Sequence, residues 1–326
     1  NLQKWILFSQ ENIINQYSDL INNLINDSKI DIDIIQLPEG ENAKSIDQLK
    51  NIYSQLVQFD CNRTSTFIAF GGGVVGDVTG YVAASFMRGV DYIQIPTSLL
   101  AMVDSSIGGK TGVNLSEGKN LVGSIWQPRA VIIDLYLLHS LPNREMISGL
   151  GEVIKYGAIL DSNLFDLIND NIEDLVKLNN IELLSKVVSR CAELKSEIVS
   201  RDERENSRRK ILNFGHTIGH GLETYFGFNE LRHGEAILYG MLAAGKLSLD
   251  YANLDKKKLQ KLINLIKKLK LPKLKKYNSN DILEIIKRDK KKISSNISFI
   301  LLSDIGNTVL HSNISEESII DVLESL

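Results

Sequence analysis

The chain has 326 residues, 43% hydrophobic and 24% charged, with 37 basic against 40 acidic side chains and a net charge of −3. That balance argues against a nucleic-acid or membrane-surface partner, and no apolar run is long enough to span a bilayer. The length exceeds what one hydrophobic core usually serves, so two domains are expected.

Two cysteines, Cys61 and Cys191, lie far apart and form no CxxC pair, which fits a reducing, cytoplasmic setting. The start lacks the charged-then-apolar layout of a signal peptide. It also lacks an initiator Met, so processing or truncation is expected.

In chain order, "KWILFS" reads as a strand and Glu11 to Ile25 as a helix, then "IDIDIIQLP" as a strand and Ser45 to Phe59 as a helix. "STFIAF" is a strand running into "GGGVVGDVTGYVAASF", and "DYIQIP" and "RAVIID" are further strands. This alternation predicts a parallel sheet with helices on both faces. After Pro142 helical periodicity dominates, as in "NREMISGLGEVIKYGAIL" and "IELLSKVVSRCAELKSEIVSRDERE". The expected architecture is α/β: a Rossmann-like parallel-sheet domain over 1–142, followed by an all-α domain over 143–326. The basic stretch "KKKLQKLINLIKKLKLPKLKK" reads as a solvated amphipathic helix, because aromatic residues are not interleaved in it.

Gly71, Gly72, Gly73 and Gly76 fall between an apolar strand and a helix. Glycine lets a ligand approach the backbone, and free N–H groups at a helix start attract phosphate. The spacing is not GxGxxG, and a ligand-free tight turn is the alternative. Asp77 could cap that helix or bond a ribose or the nicotinamide end. "PTSLLAMVDSSIGGKTGVNLSEGKNLVG" then offers Thr97, Ser98, Asp104, Lys110, Lys119 and Asn120, read as a polar loop whose lysines suit phosphate or carboxylate.

Three of the five histidines lie between Asn213 and Glu235. His216 and His220 are four apart and share a helix face. His233 stands at the predicted start of the next helix, and a helical hairpin could bring it back opposite His216. Catalytic metal sites commonly combine histidines with one carboxylate, which could be Glu152, on one helix face with Lys155. One histidine could ligate while its neighbour binds substrate or moves protons.

Taken together, "GGGVVGDVTGYVAASFMRG", "IPTSLLAMVDSSIGGKTGVN", "GKNLVGSIWQP", "GEVIKYG", "NFGHTIGH" and "RHGE" closely resemble 3-dehydroquinate synthases, in order from about Glu39 to Ile305. The resemblance implies a homodimeric, NAD-dependent metalloenzyme of the shikimate pathway. It would convert 3-deoxy-D-arabino-heptulosonate 7-phosphate to 3-dehydroquinate by transient oxidation, phosphate β-elimination, re-reduction and aldol closure. The metal, Zn2+ or Co2+, is implied at Glu152, His216 and His233. NAD is implied at Glu41, Lys44, Gly72, Gly73, Val74, Asp77, Thr97, Ser98, Lys110, Lys119, Leu137, Leu138, His139 and Ser140. Substrate is implied at Arg88, Asp104, Lys110, Asn120, Lys155, Lys195, Arg209, Asn213, His220 and, in "RDKKKI", Lys290.

Ser98 and Ser140 stand where the family usually has Thr, which keeps the hydroxyl. Gln10 stands where an acid is usual on the adenosine side of the cofactor. A strand pair usual in the family would precede residue 1, so a shortened sheet edge is expected. Another sugar phosphate cyclase and a metal-dependent polyol dehydrogenase are the competing readings. Arg88, Lys110, Lys195, Arg209 and Asn213 argue for the carboxylate-bearing substrate.

Overall fold

The structure, a computed structural model, describes residues 4–27, 31–205, 207–227, 230–291 and 297–326. The chain divides into two compact units, 1–141 and 142–326.

In the first unit, β1 (Lys4–Gln10), β2 (Asp31–Leu37), β3 (Thr66–Gly71), β4 (Asp91–Pro96) and β7 (Ala130–Val131) form one parallel sheet in the order β2-β1-β3-β4-β7. Alternation along the central strands sends side chains to both faces, and both are apolar, as a parallel sheet requires. Ile6, Phe8, Phe67 and Ala69 pack with Leu49, Ile52 and Leu56 of α3 (Ile46–Gln58) and with Val75, Val78 and Val82 of α4 (Gly73–Ser85). Leu7, Ile68 and Phe70 are buried on the other face. Ser45 caps α3, its Oγ accepting the Gln48 N–H at 3.2 Å. Two glycines let α4 lie close to its neighbours: a Cβ on Gly76 would sit 2.6 Å from Gln94 Oε1, and one on Gly80 would collide with Thr111.

The single helix expected over Glu11–Ile25 is two, α1 (Glu11–Gln16) and α2 (Ser18–Asp27). The break falls at Tyr17, whose ring packs edge-on against Phe70 at 5.5 Å and whose hydroxyl donates to the Leu137 carbonyl at 2.9 Å. Tertiary anchoring overrides helix propensity there. "RAVIID" contributes only the two paired residues of β7. The segment read as a polar loop holds an antiparallel hairpin, β5 (Lys110–Leu115) with β6 (Gly118–Ile125).

The second unit is helical: α5 (Asn143–Leu160), α6 (Ser162–Lys177), α7 (Ile181–Arg201), α8 (His216–Phe226), α9 (His233–Tyr251), α10 (Lys256–Lys268), α11 (Ser279–Lys291) and α12 (Glu316–Glu324). The expected all-α domain also carries a two-stranded hairpin, β8 (Phe299–Asp304) with β9 (Asn307–His311). "FILLSD" supplies a buried apolar run turned by Gly306 at φ +88°, the left-handed geometry that glycine favours. The lysine-rich α10 buries Leu259, Leu262, Leu265 and Ile266 along one face, as an amphipathic helix does. Among the described residues no helix is long and apolar enough to cross a membrane.

Candidate functional site

Three helices of the second unit build the histidine cluster. Glycines set their spacing. A Cβ on Gly234 would collide with the Ser148 carbonyl, and one on Gly151 would sit 2.7 Å from the Gly234 carbonyl oxygen. Backbone therefore packs on backbone where α5 meets the start of α9, and Gly234 N–H donates to Ser148 Oγ at 3.0 Å. The same crossing sets Glu152 of α5 against His233 of α9. The start of α9 is held further by Glu235. Its carboxylate accepts the Arg232 N–H at 2.8 Å and two bonds from Arg144, each 2.7 Å, a bidentate pair of the strong kind.

Glu152 is fully buried, and its Oε1 lies 3.6 Å from Nε2 of both His216 and His233. Lys155, one helical turn on and 2% exposed, pairs with Glu152 Oε2. The inner nitrogens of the rings are engaged elsewhere: His216 Nδ1 with the Phe214 carbonyl at 3.1 Å, and His233 Nδ1 with Glu223 Oε2 at 3.2 Å. Burial and the neighbouring Lys155 ammonium push His216 well below its usual range, so its imidazole stays neutral. For His233 burial works against the charge, but hydrogen bonds to Glu152 and Glu223 prevail and raise it to about 10. A buried carboxylate thus gathers positive charge from both Lys155 and His233.

This donor set fits a divalent ion. One carboxylate oxygen and two imidazole nitrogens converge, in the pattern of open catalytic zinc sites. His220, exposed on α8, closes the group: nitrogens of His216, His220 and His233 lie within 4.8 Å of one another, with ring centroids 5.2 to 5.8 Å apart. Glu152 is the stronger third donor, because a fully buried anion needs a cation.

Elsewhere in the second unit, Lys195 of α7 and Arg209 are each 4% exposed. Arg209 Nη1 donates to the Glu203 carbonyl at 2.7 Å, and its backbone N–H donates to Asp202 Oδ2 at 2.9 Å. Asn213 Nδ2 donates to Glu205 Oε1 at 2.7 Å. Lys290 falls in α11, and its side chain lies outside the described residues.

In the first unit a second polar group assembles beside the glycine turn. Lys44, 3% exposed, donates to Asp77 Oδ2 and to Asn120 Oδ1, each at 2.5 Å. Asp77 does not cap α4; Gly72 holds that position without a side-chain bond. Asn114, which no motif reading singled out, ties the group together. Its Nδ2 donates to Glu41 Oε2 at 2.7 Å, its Oδ1 accepts the Asn120 N–H at 2.9 Å, and its own N–H donates to the Lys44 carbonyl at 2.7 Å. Lys119 Nζ lies 4.0 Å from Glu41.

Gly72, Gly73 and Val74 are half-buried at the end of β3. Beside them, Thr97 N–H donates to the Gly71 carbonyl at 3.0 Å, and Ser98 Oγ accepts the Ala101 N–H at 3.3 Å. Ser140 Oγ bonds the Leu137 carbonyl at 3.0 Å and shares a bond with Tyr17 Oη. Leu137 and Leu138 are buried, while His139 is exposed. Gln10 directs its amide to the Pro38 carbonyl at 2.9 Å. Arg88 and Lys110 are exposed, and Asp104 is half-buried.

The fold is that of the sugar phosphate cyclases. A 2-epi-5-epi-valiolone synthase from Streptomyces hygroscopicus, solved with NAD+ and Zn2+, matches with TM-score 0.92 at 25% identity, over 99% of this chain and 90% of that one. A 2-deoxy-scyllo-inosose synthase, solved with carbaglucose-6-phosphate, NAD+ and Co2+, matches with TM-score 0.89 at 26% identity, over 99% and 91%.

Within that class, the models for the N-terminal and C-terminal parts of 3-dehydroquinate synthase match residues 34–148 and 149–292. The 3-dehydroquinate synthase of Crocosphaera subtropica is 41% identical over 99% of this chain and 90% of its own length. The chain belongs to the 3-dehydroquinate synthase family, whose members are lyases.

Proposed function

We propose that this chain carries out its family's reaction, turning 3-deoxy-D-arabino-heptulosonate 7-phosphate into 3-dehydroquinate and phosphate, and does so as a homodimer in the cytoplasm. The observation that carries the reading is the approach of Glu152 Oε1 to Nε2 of His216 and His233, 3.6 Å each. These three residues hold one divalent ion, zinc or cobalt. When bound, the ion would supply Lewis-acid polarisation of substrate hydroxyls, and NAD would supply reversible hydride chemistry.

The chain's own residues orient and neutralise. Glu41, Lys44, Gly72, Gly73, Val74, Asp77, Thr97, Ser98, Lys110, Lys119 and the segment Leu137–Ser140 bind NAD. Arg88, Lys110, Asn120, Asn213 and His220 bind the substrate's phosphate, and Lys195, Arg209 and Lys290 its carboxylate. Arginine suits this because its planar fork matches an oxyanion. Lys155, paired with Glu152 inside the metal cluster, presents its ammonium to a substrate oxygen. Asp104 binds a hydroxyl. The two free cysteines, both buried, suit a reducing compartment.

The test is phosphate release from the heptulosonate phosphate. Release should stop with a chelator and return with zinc or cobalt, and no NADH should build up. Absence of phosphate release by the metal-loaded protein would overturn the reading. Accumulating NADH would point to a polyol dehydrogenase instead.

A further inference from the structure

We infer that Glu223 is a positioning residue for the metal site, orienting His233 as a ligand. The inference rests on the metal site proposed above. His233 has a carboxylate at each ring nitrogen: Glu152 Oε1 is 3.6 Å from Nε2 and Glu223 Oε2 is 3.2 Å from Nδ1. Only one can share an ion with the ring. The other accepts the Nδ1 proton, fixes the tautomer with the lone pair on Nε2, and makes that nitrogen a better donor.

The partner on His216 is of a different kind. Its Nδ1 meets a neutral carbonyl, that of Phe214, at 3.1 Å. That bond is local, two residues back along the chain, so His216 is oriented by its own turn. His233 is oriented from another helix. Glu223 lies on α8 seven residues beyond His216, two turns along the same face. It is 7% exposed, so its charge sits where water screens it weakly. The fixed N-terminus of α9 holds the backbone of His233, and Glu223 sets the angle of the ring. One face of α8 therefore supplies His216 as a ligand and the carboxylate that aims the other histidine.

The test uses the full-length protein, with zinc affinity read by competition with a chromophoric chelator. Glu223→Gln keeps size and a hydrogen-bond acceptor but removes the charge. It should weaken zinc binding about 10–100-fold, with an unchanged thermal midpoint for the metal-free protein. The visible absorption of the cobalt form should shift, because the geometry at His233 changes. Glu223→Asp, which keeps the charge, should recover part of the affinity, and it carries the test if the Gln variant fails to fold.

Wild-type zinc affinity in both variants would overturn the role of Glu223, and so would a loss confined to the metal-free thermal midpoint. His233→Ala separates this from the underlying reading. If His233→Ala loses zinc while Glu223→Gln does not, only the positioning role falls. If His233→Ala binds zinc normally, the metal assignment falls with it.

Discussion

Glu152 is a fully buried carboxylate on a helix of mostly apolar and small residues. Burying an unpaired charge is costly, so such a residue is kept where a cation meets it. Lys155 and His233 supply positive charge in the structure; a divalent ion held by Nε2 of His233 would displace that ring's extra proton and put two charges in its place. Glu152→Gln preserves volume and removes the charge. It should lower zinc affinity by more than the 10–100-fold typical of an outer partner, and activity should fall with it. Equal zinc content in mutant and wild type after dialysis would sink the assignment. His216→Ala should behave alike. Lys110→Ala should instead weaken substrate binding and leave zinc content unchanged; an unaltered KM would count against its phosphate role.

The histidines were visible in the sequence because histidine is scarce here and the i,i+4 spacing is a helical signature. Glu223 was not, because it lies on the same face but a glutamate on a helix is ordinarily a solvated charge. Its burial depends on how α8 packs against α9. Asn114 was hidden for a related reason. Its three bonds join Glu41, Lys44 and Asn120 across a hairpin that the sequence presented as a polar loop.

At the scale of elements, the glycines decide what can meet. Gly234 and Gly151 let α9 and α5 touch through backbone, and that contact sets the distance from Glu152 to His233. Gly234→Ala should therefore push the helices apart and weaken zinc binding, even though alanine is the better helix former. Wild-type zinc affinity and thermal midpoint in Gly234→Ala would refute this. Periodicity made α5 and α7 legible nearly to their ends, since their apolar faces are long. It failed for Glu11 to Ile25, where Tyr17 is drawn to Phe70 and Leu137, residues distant in sequence.

A second element junction has a pH signature. Asp161 caps α6, accepting the Asn163 and Leu164 N–H groups at 3.1 Å each, and it pairs with Arg190 of α7 at 2.7 Å. Burial alone would raise its carboxyl, but Arg190 and the two backbone donors outweigh this and hold it below its usual value. A carboxyl lowered by folding binds fewer protons in the folded state. Its contribution is thus complete above the unfolded value, near ~4, and is lost as pH falls through the folded value. Asp161→Ala should cost about 0.5–2 kcal/mol at pH 7. The gap to wild type, read by urea unfolding, should narrow as pH drops below ~4. A gap independent of pH would show that the ionised form is not what matters.

At the scale of the whole molecule, the proposed metal and the glycine turn belong to different units. The three proposed metal ligands lie in 142–326, and the turn with Lys44, Asp77 and Asn114 lies in 1–141. Each unit has its own buried core, so a ligand that binds one of them should stiffen that one first. A ligand that binds only the folded state stabilises by about 2.7 kcal/mol at 100 times its Kd. Zinc at the proposed ligands of α5, α8 and α9 should slow amide exchange in those helices, and a chelator should restore it. NAD should protect the end of β3, the start of α4 and residues 137–140. Zinc should leave the amides of β1 and β3 at their rate in the metal-free protein, because no proposed ligand lies in that sheet. If chelation loosened that sheet as much as α5, α8 and α9, the metal would not be seated where Glu152 and the two histidines place it.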